Sequence, residues 1–137
     1  MKISAGKLYD AVHGLNSILD AQRPRMIPQV AKFRLAKLHT ILERHYVLIE
    51  AERAAIVQKL GHEIFTDEAK TISGGWSVDP GTPPFDQYVK EWNAVREKEL
   101  EVDAKPITLT MFGNDARGIE AGECKLLESF IDDNVPE

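Results

Sequence analysis

Cysteine is almost absent from this chain. Cys124 is the single one in 137 residues, so no disulfide can form within the chain, and a reducing compartment is the expected setting. Long apolar runs are also missing. Nothing approaches the roughly 18 residues of a membrane span, and Met1 to Ala11 has no apolar stretch that could serve as a signal peptide. These two absences lead us to expect a soluble protein, made and held inside a cell, with no membrane partner. The composition, 43% hydrophobic and 28% charged, is that of an ordinary globular chain rather than a disordered one. Its length suits a single domain with its own core. We read 1–137 as that domain: two helices in 1–60, a hairpin and loop tip in 61–84, and a third helix, strand and C-terminal helix in 85–132.

Signatures of chemistry are lacking too. There is no Walker loop, no glycine-rich dinucleotide fingerprint and no nucleophile elbow. Ser73-Gly74-Gly75 is too short for a phosphate cradle and has no helix directly after it. The four histidines are scattered. Asp10 and His13 stand three apart on a predicted helix and could place two ligands on one face, but a di-metal bundle needs a second such motif and two more carboxylates. His39 and Glu43 read as a surface i,i+4 pair. Cys124 has no basic neighbour to activate it and reads as a packing residue. With no nucleophile, base and charge stabiliser to assemble, we assign no catalytic residue, no cofactor site and no metal site, and expect a protein that is not an enzyme.

What the chain does have is one long helical pattern from Pro28 to Leu60, without Gly or Pro after its first residue. Leu35, Leu42, Ile49 and Ile56 recur at seven-residue steps. A second row, Ile41, Leu48 and Ala55, runs beside them, with Leu38 near the start. Together they predict one broad apolar face on a helix roughly 50 Å long, which other segments must cover. His45 and Glu52 continue the Leu38 row along the edge of that face. Polar residues at such places can set register or partner choice, or simply flank the stripe.

Before this helix, Ser4 predicts an N-cap and a helix to about Asp20 with Leu8, Val12, Leu15 and Leu19 on one side. Pro24 and Pro28 break it from the next. After it, Gly61 predicts a C′ stop. Ala69–Ile72 and Trp76–Val78 predict a hairpin around a Ser73-Gly74-Gly75 turn. Thr82-Pro83-Pro84 opens a third helix to Leu100, striped by Phe85, Tyr88, Val89, Trp92 and Val95 and expected to lie antiparallel to the long helix. Val102, Ala104, Ile107, Leu109 and Met111 alternate as an edge strand within Leu100–Phe112, restricted by Pro106. Gly113–Gly118 reads as a loop, Ala121–Asp132 as a short helix burying Leu126, Leu127, Phe130 and Ile131, and Asp133–Glu137 as a frayed end. The expected class is mainly α with a small β component (α+β): a long helical hairpin with a β-hairpin at its tip, an edge strand and a short C-terminal helix.

The net charge of −5 hides an asymmetry. Arg23 to His45 carries six Arg or Lys against Glu43, a sum of +5, while Asp115 to Glu137 carries seven acids against two bases, a sum of −5. Solvated faces would explain both; so would a contact between subunits. Arg34, Lys37 and Arg44 share one side of the long helix and could track phosphates. The domain is acidic overall, however, and only Phe33 interleaves with the bases, so nucleic acid is not the expected partner.

The helix containing Gly14-Leu15-Asn16, the proline-flanked link, Val30 to Lys37, Glu50-Ala51-Glu52-Arg53 and Glu101-Val102-Asp103 together resemble small phage-encoded helical proteins of uncharacterised function. The layout matches over most of the chain, and the family brings no catalytic residues to carry over. The resemblance implies a bacteriophage structural or assembly role in the head–tail or tail region. Such a protein would work through contacts with other phage proteins or with itself as a homo-oligomer, in the host cytoplasm at synthesis or in the virion. A second reading is a small acidic inhibitor of a host defence complex, a host protein engaged through Glu120, Glu123 and Glu128. The residues we single out for contacts are Arg34, Lys37, Arg44, His45, Glu52, Trp76 at the hairpin tip, Glu120, Glu123 and Glu128.

Overall fold

Ser4 caps the first helix as its position predicts. In the computed structural model, which describes residues 1–22, 25–108 and 119–132, the Ser4 hydroxyl accepts from the Lys7 backbone N–H at 3.2 Å and α1 runs Ala5–Ile18. The long pattern forms α2, Gln29–Leu60, and Pro83 and Pro84 open α3, Pro83–Arg96. The fold is mainly α with a small β component.

Two sets of cross-links fix the helix directions. Tyr9 bonds Glu50 and Asn16 meets His39, so α1 runs antiparallel to α2 along its N-terminal and middle part. Lys59 pairs with Glu91 and Glu52 with Lys98, so α3 runs antiparallel along the C-terminal part. The core forms where the heptad row of α2 meets the stripe of α1: Leu8, Val12, Leu15, Leu35 and Leu42 are all buried. Each such side chain contributes about 1.5–3 kcal/mol of apolar transfer. The α3 stripe is shallower than its periodicity predicts. Val95 alone is buried there, Phe85, Tyr88 and Trp92 are half-buried, and Val89 is exposed.

Among the described residues, three two-stranded pairings tie the ends of these helices together. β1, Lys2–Ser4, pairs antiparallel with β4, Glu99–Glu101, and the N-terminal amine donates to the Val102 carbonyl at 2.7 Å. β2, His62–Phe65, pairs with β3, Ser73–Ser77. β5, Ile107–Thr108, pairs parallel with β6, Ile131–Asp132.

Several expectations are corrected. Ser73-Gly74-Gly75 is strand rather than turn; the hairpin pairs His62–Phe65 with it and turns through 66–72, where Asp67 accepts from the Thr71 and Ile72 backbone. Within its described part, 100–108, the predicted edge strand is two pieces, β4 and β5, each paired with one strand of this chain. The last helix, α4, Ala121–Leu126, is shorter than predicted and is followed by a 3-10 turn, Glu128–Phe130, that leads into β6. That break rotates Leu127 and Phe130 inward while Leu126 stays exposed. Arg23, Pro24, Leu109, Met111, the Gly113–Gly118 loop and the Asp133–Glu137 end lie outside the described residues.

Two glycines answer to packing. Gly14, an unfavourable residue inside a helix, lets α4 approach α1; a Cβ there would sit 3.1 Å from Leu126 Cβ. Gly61 ends α2 in extended rather than left-handed backbone, φ −104° and ψ −165°. A Cβ on it would run into the Ser77 carbonyl oxygen and lie 2.7 Å from that of Val57. Gly61→Ala must therefore push β3 off the end of α2. We expect it to cost about 2 kcal/mol, within the overpacking range, measured by urea denaturation; an unchanged midpoint would contradict the close approach.

Candidate interaction surface

The three main helices meet at a cluster of rings and ion pairs. Tyr9 stacks on Tyr46 at 5.0 Å and meets Trp92 edge-on at 5.1 Å, and His13 abuts both tyrosines. The Tyr9 hydroxyl donates to Glu50 Oε2 at 2.8 Å, and Arg53 Nε donates to the same oxygen at 3.0 Å. Arg96 forks onto Asp10 at 2.9 and 3.2 Å and lies over the Trp92 ring. Burial, then the Glu50 carboxylate, pushes the Tyr9 phenol well above its ordinary value. The Arg53 hydrogen bonds hold Glu50 low against the opposing effect of burial. Every charge here has an opposite partner, and the phenol stays protonated at neutral pH, so the cluster clamps helices together and is not poised for proton transfer. Tyr9→Phe removes one hydrogen bond to a charged group and keeps the ring, so we expect a loss of about 1.5–3 kcal/mol by chemical denaturation. No change would show that the bond adds nothing over solvation.

Asp10 and His13, three apart in sequence, point to different uses, one to Arg96 and one to the tyrosine rings. Among the described residues no three His, Cys, Asp or Glu are grouped as metal ligands, and no helix is long and apolar enough to cross a membrane.

The acidic candidates separate. Glu123 is buried, 5% exposed, in an ion pair with Arg25. It also accepts from the Glu120 backbone N–H at 2.9 Å. Burial raises its carboxyl, but the hydrogen bonds from Arg25 and Glu120, with the Ser17 hydroxyl alongside, outweigh that and hold its pKa down to about 2. Glu123 is thus an internal anchor of α4 and offers no outer contact. Glu120 is the N-cap of α4, and Glu128 is exposed. Trp76, 43% exposed on β3 opposite Glu63, stands away from the others on the hairpin.

The remaining candidates, Arg34, Lys37, Arg44, His45 and Glu52, all belong to α2, and here the structure divides what the sequence joins. The first heptad row is covered: Leu35, Leu42 and Ile49 are buried and Ile56 packs against the core. The second row is not. Ile41 is half-buried, Ala55 is exposed and Leu48 is 66% exposed. With 3.6 residues per turn, Val30, Phe33, Lys37, Arg44, Leu48 and Ala51 fall opposite the buried row, and all six are exposed. This outward strip carries no carboxylate; Glu43 and Glu52 lie to either side of it. Glu52 is held by Lys98 at 2.9 Å, and His45 is half-buried at the same edge. Covering Phe33 or Leu48 fully would contribute up to about 1.5–3 kcal/mol each.

The seven-residue spacing in the sequence already contains this strip, but only the position of α1 and α3 shows which row is left open. The Tyr9–Glu50–Arg53 clamp and the Arg25–Glu123 pair had no sequence signal beyond the i,i+3 spacing of Glu50 and Arg53, because their partners are 41 and 98 residues apart. No protein-family model, curated protein or solved structure matches the chain.

Proposed function

We propose that this protein is a non-enzymatic bacteriophage structural or assembly component of the head–tail or tail region, acting through protein–protein contacts. The observation that carries this is the outward strip of α2, where Val30, Phe33 and Leu48 stand in solvent at 63%, 69% and 66% exposure beside Lys37 and Arg44. Large apolar side chains left in solvent along one helix face, interspersed with cations, are the kind of surface that another protein covers. The resemblance of the layout to small phage-encoded proteins supplies the setting. The partners would be other phage proteins or further copies of this chain, met in the host cytoplasm and retained in the virion.

The strip, and not the predicted edge strand, is the preferred contact, because β4 and β5 are only three and two residues long and offer a partner strand few backbone groups. The alternative, an acidic inhibitor of a host defence complex, draws on Glu120, Glu123 and Glu128. It loses its middle carboxylate to Arg25. Mass spectrometry of particles purified from infected cells tests the proposal. The wild-type chain is expected at a fixed ratio to the particle's other proteins, with Leu48→Lys depleted. Absence of the wild-type chain from particles and from every assembly intermediate would sink it.

A further inference from the structure

Resting on that contact reading, we infer that the outward face of α2 from Ile41 to Gln58 seats the same segment of a second copy of this chain, antiparallel about a two-fold axis between Leu48 and Ala51. The first argument is spacing. Ile41, Arg44, Leu48, Ala51, Ala55 and Gln58 alternate steps of three and four residues, the seam of two paired helices. This seam spans roughly 25 Å. Ala51 and Ala55 have short side chains that let a second helix come close at its middle, while Ile41 and Leu48 supply the knobs.

Charge selects both the occupant and its direction. The strip is apolar and cationic, with Arg44 exposed on the seam and Glu52 exposed at its edge. Parallel pairing would set Arg44 against its own copy and Glu52 against its own copy, two like-charge contacts that disfavour it. Antiparallel pairing brings Arg44 and His45 beside Glu52 of the partner subunit, and the two-fold axis makes that contact twice. Lys98 already neutralises part of Glu52 from within the chain, so each carboxylate would sit between cations. His45 and Glu52, seven residues apart at the edge of the stripe, thereby gain a shared role as the pair that sets register.

Light scattering during size exclusion of the full chain, with circular dichroism as a check on folding, tests this. The expected result is a mass twice that of the 15.4 kDa chain. Leu48→Lys, an exposed position, should be monomeric with unchanged helicity and a melting temperature that no longer depends on protein concentration. Arg44→Glu should weaken the dimer at least about tenfold, and adding Glu52→Arg should restore it. A wild-type monomer at all accessible concentrations overturns the inference, as does a dimer indifferent to Leu48→Lys. A dimer that Arg44→Glu leaves unchanged or tightens overturns the antiparallel arrangement. The particle assay separates this failure from failure of the wider reading. A monomer whose entry into particles still requires Leu48 overturns self-pairing alone. A monomer absent from particles overturns both.

Discussion

Arg25→Ala is expected to lower the unfolding free energy by about 3–5 kcal/mol, the loss seen when one member of a buried ion pair is removed and the other is left charged. Arg25 and Glu123 have side chains only 10% and 6% exposed, so water cannot replace the lost partner. The pair also bridges the segment just before α2 to the first turn of α4, two parts of the chain 98 residues apart. Urea denaturation followed by helicity measures the effect, and a loss below about 1 kcal/mol would place the pair in solvent-like surroundings. Arg25→Met combined with Glu123→Leu removes both charges and keeps the bulk, and should recover much of the loss.

The same pair fixes an acid sensitivity. Against the upward push of burial, the Arg25 guanidinium and its neighbours hold the Glu123 carboxyl down to about 2 in the folded protein, well below the ordinary carboxylate range. A depressed folded value means the unfolded chain takes up the proton first, so this contribution is complete above about pH 4.5 and is lost as pH falls towards 2. Stability measured across that window should decline in the wild type. In Arg25→Ala that component should vanish, since burial without the guanidinium pushes the carboxyl upward instead.

Phe130→Ala is the second large effect, with an expected loss of about 3–5 kcal/mol. The ring is fully buried and lines a small apolar cavity with Leu35, Leu38, Ile107, Ile119 and Leu127. Those neighbours come from α2, β5 and the C-terminal segment, so no single element can move in to fill the space left behind. For a chain of this size the melting temperature should fall by roughly 10 °C or more. Phe130→Leu, which keeps most of the volume, should cost under about half as much. A melting curve unaltered by Phe130→Ala would mean that the C-terminal segment is only loosely attached to the core.

Helices were legible because their signals are local. Ser4 and Pro28 mark starts, and the rows at seven-residue spacing persist across about six turns of α2, long enough to outweigh any single residue. The β pieces were legible only in part. Ser73-Gly74-Gly75 has turn composition, yet it is a strand because the backbone of 62–65 pairs with it, and such pairing is chosen by chain closure rather than by composition. Gly61 was recognised as a helix end for one reason and is required for another, the approach of Ser77. Glu123 looked like one acid among several in an acidic tail. Its burial depends on Arg25, which the sequence places in one basic run with Arg34, Lys37 and Arg44, all three exposed.

The sequence by itself determined the three main helices, the Ser4 cap, the shared apolar stripe of α2 and the class of the fold, because each follows from the period and chemistry of neighbouring residues. Only the tertiary structure decided which half of that stripe is covered, which carboxylates are anchors and where the bare strip of Val30, Phe33 and Leu48 lies. Those outcomes depend on which surfaces α1, α3 and α4 occupy. That choice is made by contacts between residues tens of positions apart, whose pairing no local pattern records.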